Sequence, residues 1–187
     1  MKTLKIFTFT LLMISLFACE DLNNLASKEF TGTAPTIDFT TSESSNMASA
    51  QLKAPQKTSV EGYEIYNKEV STDFINEKIE ELNLSKNVIK TFDITSVELT
   101  LPEADITTAL LFLGVKFYIG DKLVAQNNMT TISGGTTAIN LTIVDKDVLA
   151  SIKDSESFTV RIVNMQPVPD PTRVVLKYKY NCKVSLL

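Results

Sequence analysis

Any chemistry in this chain must be done without imidazole. Its 187 residues include no histidine, no tryptophan, two cysteines, and 22 acidic against 18 basic side chains. Ser-His-Asp and Cys-His nucleophile arrangements and histidine-based zinc sites are therefore excluded. There is no G-x-S-x-G elbow and no phosphate loop, since Gly134-Gly135 lacks a following Gly-Lys-Ser and reads as a turn. Carboxylates remain. A pair of them can hydrolyse a glycosidic bond, one as acid and the other as base or nucleophile. The candidates are Glu98, Glu103, Asp105, Asp145, Asp147, Asp154 and Glu156. None stands in a recognisable motif: Glu98 falls on the polar side of a strand, and Asp145 and Asp147 read as helix caps. Asp145-Lys146-Asp147 lacks the glycine and distal glutamate of a calcium loop. The expectation is a protein that is not an enzyme, with no catalytic residue, metal or cofactor.

Binding is the other use of such side chains. Sugar platforms rely on exposed aromatic rings. Tyr118 falls on the polar side of its strand and is the exposed candidate, Tyr63 and Tyr66 lie near the expected domain boundary, and Tyr178 and Tyr180 face the core. The loop Pro167-Val168-Pro169-Asp170-Pro171 is either a displayed binding loop or a stiff connection between two neighbouring strands, and the second is preferred. No particular ligand-binding residue is assigned. Cys182 lies in the row Leu176, Tyr178, Tyr180, Cys182, Val184, Leu186 and reads as a small core residue.

These residues need a frame to hold them, and the dominant period is two. Val97, Leu99 and Leu101 share a face, with Ile94 ending an earlier segment and Pro102 ending the strand. Ala109 to Ile119 reads as one strand, Gly120-Asp121 as a two-residue hairpin, and Leu123 to Gln126 as its return. Ile139, Leu141 and Ile143, then Phe158, Val160 and Ile162, alternate again, and Val174 to Leu186 is the clearest strand. Two short helices are expected. Residues 71–82 carry Ile75, Ile79 and Leu82 at helical spacing behind Ser71 or Thr72 as cap. Residues 145–153 turn Leu149 and Ile152 inward behind Asp145 or Asp147. The pattern predicts a mainly β, antiparallel β-sandwich, Ig-like or jelly-roll-like, with one or two short helices and one wet face per sheet.

Residues 1–18 stand apart. Lys2 and Lys5 precede an apolar run from Ile6, which ends at Glu20 and Asp21 and is too short for the roughly 20 residues that span a bilayer. Leu16-Phe17-Ala18-Cys19 at its end resembles a bacterial lipobox. The resemblance implies cleavage after Ala18 and lipidation of Cys19, with more than one acyl chain. Glu20-Asp21 resembles the start of a surface-export signal of Bacteroidota-type lipoproteins and equally suits a solvated tether. Residues 60–187 resemble, in overall pattern, the β-sandwich domains of lipoproteins of that type.

Three regions follow: 1–18, signal peptide; 19–59, a lipidated and mostly flexible tether averaging roughly 35 Å; and 60–187, the sandwich. Ile37 and Phe39 are candidates for an extra docked strand. Losing residues 1–18 leaves 169 and lowers the net charge from −4 to −6. That balance argues against nucleic acid as a partner. With Cys19 acylated, Cys182 has no disulfide partner within the chain. The implied location is the cell envelope, anchored to the outer membrane on either its surface or its periplasmic face. The implied role is non-enzymatic: binding, adhesive or structural, toward a protein or glycan. The alternative is a glycan-binding accessory lipoprotein of an outer-membrane uptake system.

Overall fold

The computed structural model describes residues 27–41, 62–84, 88–127, 137–153 and 155–185. Its elements in chain order are β1 (Ser27–Thr33), β2 (Ile37–Thr40), β3 (Tyr63–Ser71), α1 (Asp73–Glu81), β4 (Ile89–Leu101), α2 (Ile106–Leu110), β5 (Lys116–Ile119), β6 (Lys122–Gln126), β7 (Thr137–Ile143), α3 (Leu149–Ile152), β8 (Ser157–Asn164) and β9 (Arg173–Ser185). All strand pairs are antiparallel. They form one sheet in the order β1-β9-β4-β7-β6-β5-β8-β3, and β2 continues along the same edge of β9 as β1.

The sheet curls until its two halves face each other. Phe117 on β5 meets Tyr178 on β9 with ring centres 5.6 Å apart, and Phe39 on β2 meets Tyr66 on β3 at 4.6 Å. Neither strand pair is adjacent within the sheet, so these contacts cross the core. The expected antiparallel sandwich is thus present as one continuous sheet, joined at β6–β7 through Ala125↔Ile143 and Gln126↔Thr142. β9, bordered by β1 and β2 on one side and β4 on the other, is with β4 its longest strand. Val174, Leu176, Tyr178, Tyr180, Cys182 and Val184 are all buried on one face, as their alternation predicts. α1 covers the core with Ile75 and Ile79, and Phe74 beside them touches Phe158 and Tyr180.

Bulges provide the curl, because an extra residue bends a strand and increases its twist. β4 carries two, between Ile89 and Thr91 and between Ile94 and Ser96. They explain why the sequence reads as two segments: the buried row shifts phase from Phe92 and Ile94 to Val97, Leu99 and Leu101. One continuous 13-residue strand runs through both.

Several expectations change. The sheet begins well before residue 60, inside the segment expected as tether: β2 is the docked strand that Ile37 and Phe39 suggested, β1 precedes it, and they pair with β9 over Ile37↔Leu176 to Thr40↔Arg173 and Ser27↔Ser185 to Thr33↔Lys179. A 13-residue strand between β4 and nothing would leave a long row of backbone donors and acceptors bare, and β1 and β2 satisfy them. The expected strand from Ala109 is instead α2 and a turn, with β5 confined to four residues. Asp105 decides this by capping α2, its Oδ1 accepting from Thr108 N–H at 2.8 Å. There are therefore three described helices rather than one or two. α3 is shorter than expected. Neither expected aspartate is its N-cap, which is Val148: Asp147 Oδ1 accepts from Leu149 N–H at 3.0 Å just ahead of the helix, and Asp145 pairs with Lys122 at 2.9 Å and accepts from Asp147 N–H at 3.3 Å. The outer face of β8 is wet only along its first half, at Ser157 and Thr159, because Arg161, Val163 and Asn164 are buried along with Phe158, Val160 and Ile162. The proline loop does not join neighbours. β8 and β9 lie in opposite halves of the sheet, so it crosses between layers.

Candidate functional site

The strands define two ends. One holds Ser27, Ile89 and Ser185; the other holds Thr40, Leu101, Thr137 and Arg173. The second end carries the most distinctive surface. β4 stops at Leu101, Pro102 prevents its continuation, and Asp105 starts α2. Ala109 and Phe112 turn into the core at 0% exposure. Their apolar neighbours turn out: Ile106 is 59% exposed, Leu110 44% and Leu113 36%. Their i, i+4, i+7 spacing lays them along one face of the helix and its following turn. Met165, also exposed, adjoins this stripe: its Cγ lies 2.9 Å from where a Cβ on Gly114 would sit, and Gly114 has φ +82°.

The proline loop stands beside the stripe and is tied down. Thr172 Oγ1 donates to Pro169 O at 2.6 Å, Thr41 Oγ1 donates to the same oxygen at 3.2 Å, and Thr172 N–H donates to Thr41 Oγ1 at 2.9 Å. Asn164 Nδ2 bridges the α2 turn to the loop by donating to Leu111 O and Gln166 O, each at 2.8 Å. Between loop and helix lies a pocket of about 200 Å³ lined by Glu103, Ala104, Thr108, Pro169, Pro171, Thr172 and Arg173. The Arg173 guanidinium is already engaged, with Nη2 and Nε on Asp38 at 2.7 and 3.1 Å and Nη1 3.9 Å from Glu103. Around the stripe Glu103, Asp105 and Asp170 are exposed acids, and Arg173 is an exposed base beside them.

The carboxylates do not converge. Glu103 and Asp105 belong to this end. Glu98 lies opposite Lys177 and Asn140 on the outer face of its layer. Asp145 and Asp147 gather around Lys122, whose Nζ also donates to Asp147 O. Glu156 opens onto a broad cleft with Glu69, Ser71, Asp73, Asn76 and Ser157. Asp154 lies outside the described residues. A glycosidase acid needs a raised pKa. The shifts here run the other way: Arg173 holds Asp38 below the usual carboxylate range, Thr108 N–H does the same for Asp105, and Lys122 for Asp145. Among the described residues no group of three or more Cys, Asp or Glu could hold a metal ion.

The aromatic candidates are likewise accounted for. Tyr118 is buried, contrary to expectation. The bulge between Phe117 and Tyr118 and the Arg161 guanidinium 5.2 Å from its ring centre cover it. Arg161 is itself buried, with Nε 3.3 Å from Glu64 and Nη1 3.4 Å from Asp121. Tyr66 is half-buried against Phe39, and burial raises its phenol pKa. Tyr178 and Tyr180 face the core as expected. Cys182 is fully buried, and burial pushes its thiol up to about 12. Ala18 and Cys19 lie outside the described residues. No described helix is long and apolar enough to cross a membrane.

Sequence reading missed the Ile106–Leu110–Leu113 stripe. Its signal was there, in helical spacing behind a capping aspartate, but the strand reading of Ala109–Ile119 overrode it. No protein-family model matches the chain, and no curated protein matches it in sequence.

Proposed function

We propose that this is a lipid-anchored β-sandwich protein of the cell envelope with a non-enzymatic binding role, adhesive or structural, carried by the end that bears α2 and the proline loop. The observation that carries this reading is the exposed stripe Ile106, Leu110, Leu113 and Met165 beside a loop held rigid by Thr41, Thr172 and Asn164. Contiguous apolar side chains on a soluble surface mark interaction sites, and a rigid mount limits the ordering cost of binding. Glu103, Asp105 and Asp170 at its margin suit a protein partner with an apolar ridge flanked by basic side chains. Among the described residues the exposed large apolar side chains are all aliphatic or Met, which suits a protein surface better than the ring faces of a glycan. The candidate carboxylates do not converge on one site, and backbone-paired Asp105 and Lys-paired Asp145 are held ionised, which supports a role without turnover. The anchor is the Cys19 lipid implied by the lipobox resemblance.

The test is a photo-crosslinking amino acid at Ile106 in intact cells. A discrete protein adduct is expected. It should be absent when the crosslinker sits at the exposed but remote Val144, and lost with Leu110→Asp while the fold persists. The partner so identified, once purified, should bind the domain saturably and more weakly at high salt. An adduct indifferent to Leu110→Asp would remove the site from this surface.

A further inference from the structure

We infer that the bilayer meets the end of the domain at Ser27 and Ser185, because the chain between Cys19 and β1 is too short for the domain to stand upright on its α2 end. The inference rests on the anchor reading above. β1 begins at Ser27, eight residues after Cys19. Eight residues span at most roughly 29 Å fully extended, whatever their conformation. Ser27 pairs with Ser185 at one end of β9, and β9 runs thirteen residues to Arg173 at the other. At about 3.3 Å per residue the domain is roughly 40 Å long in that direction. An inverted pose would lift Ser27 about 40 Å above the lipid, some 10 Å beyond the reach of the leash. The expected tether of residues 19–59 would have allowed that pose freely, and the docking of β1 and β2 removes it.

The consequence concerns the apolar stripe. Exposed aliphatic side chains on a lipidated protein would ordinarily suggest a second foothold in the same bilayer. Here the two footholds sit at opposite ends of the domain. Ile106, Leu110, Leu113 and Met165 are then held toward the aqueous side, where a partner protein can reach them, and the lipid surface is met by the strand ends at Ser27, Ile89 and Ser185.

The acylated full-length protein in lipid vesicles tests this. A donor dye is placed on Lys28→Cys or on Gln166→Cys, both exposed positions at opposite ends, and an acceptor dye on the lipid headgroups. Native Cys182 is buried and stays unlabelled. Transfer several-fold stronger from position 28 than from position 166 is expected. Inserting 20 Gly/Ser residues between Asn24 and Leu25 should shrink that difference. Equal transfer from both sites with the native leash, or stronger transfer from position 166, would overturn the orientation. Failure of the anchor reads differently: the protein would lack acyl mass and would not float with vesicles, as expected for Cys19→Ala, and the orientation would fall with it.

Discussion

Gly32→Ala probes the least expected part of the fold with a single methyl group. Gly32 sits on β1 opposite Tyr180 on β9. A Cβ there would overlap Tyr180 Oη and Cζ and lie 2.8 Å from Cε1. The ring has little room to yield. Tyr180 is 1% exposed, stacks on Phe92 at 4.7 Å, and meets Phe74 and Phe30 edge-on at 5.5 and 6.4 Å. Overfilling a packed site costs about 1–3 kcal/mol. Alanine returns about 0.4–1 kcal/mol by restricting the unfolded chain. The net loss should be about 1–2 kcal/mol. With a urea slope of about 2 kcal/mol/M, the midpoint should fall by roughly 0.5–1 M. Thr31→Ala, one pleat away and exposed, should cost about 0.5 kcal/mol or less. Urea unfolding of residues 20–187, followed by circular dichroism, measures both. In a Tyr180→Leu background the Gly32→Ala penalty should largely vanish, which assigns it to the ring. An unchanged or raised midpoint for Gly32→Ala would refute the packing of β1 on β9, and with it the short leash.

Starting the chain at Gly62 should be severe. It removes buried Ala34 and Ile37 and half-buried Phe30 and Phe39 and bares the β9 edge, a loss of about 4–6 kcal/mol from a typical total of about 5–15 kcal/mol. Urea midpoints equal to those of residues 20–187 would show that β1 and β2 contribute nothing. Alkali should also unfold the protein. Burial raises the pKa of Tyr180 and Cys182 to about 12 each and raises Tyr178 as well, so the native state holds these protons more tightly than the unfolded chain does. Their contribution is intact below the unfolded values of about 8.5–10 and is lost as pH rises from there through the folded ones. The urea midpoint should therefore fall steadily above about pH 9. Absorbance at 295 nm should show Tyr178 and Tyr180 ionising only on unfolding, and a thiol reagent should reach Cys182 only then. Ionisation of all five tyrosines in the folded protein would contradict their burial.

Local pattern settled what depends on neighbours along the chain. The row from Leu176 to Val184 had to be buried, because a strand places every second side chain on one face. The Gly120-Asp121 hairpin was equally legible, with Ile119↔Lys122 closing it and Gly120 at φ +58°. So were Ile75 and Ile79 on α1, at helical spacing behind a polar start, and the exclusion of histidine chemistry needed only composition. Tertiary structure decided everything that turns on which strands meet. β2 was visible as the alternation of Ile37 and Phe39, but whether it docks was not, and β1 is too polar to announce itself; both pair with β9, whose long edge they cover. Tyr118 lies on the face that alternation predicts, yet a bulge and a guanidinium from β8 bury it. Asp105 behind Pro102 was a legible helix cap, but the apolar residues after it suit a strand as well as a helix, and the choice was made only in the folded chain. The candidate surface arises from the same cause. Ile106 and Met165 are 59 positions apart, and curling the sheet brings the α2 turn and the β8–β9 crossing to one end. Alternation reports which face of a strand is apolar, and it carries no information about which distant strand will cover that face or leave it bare.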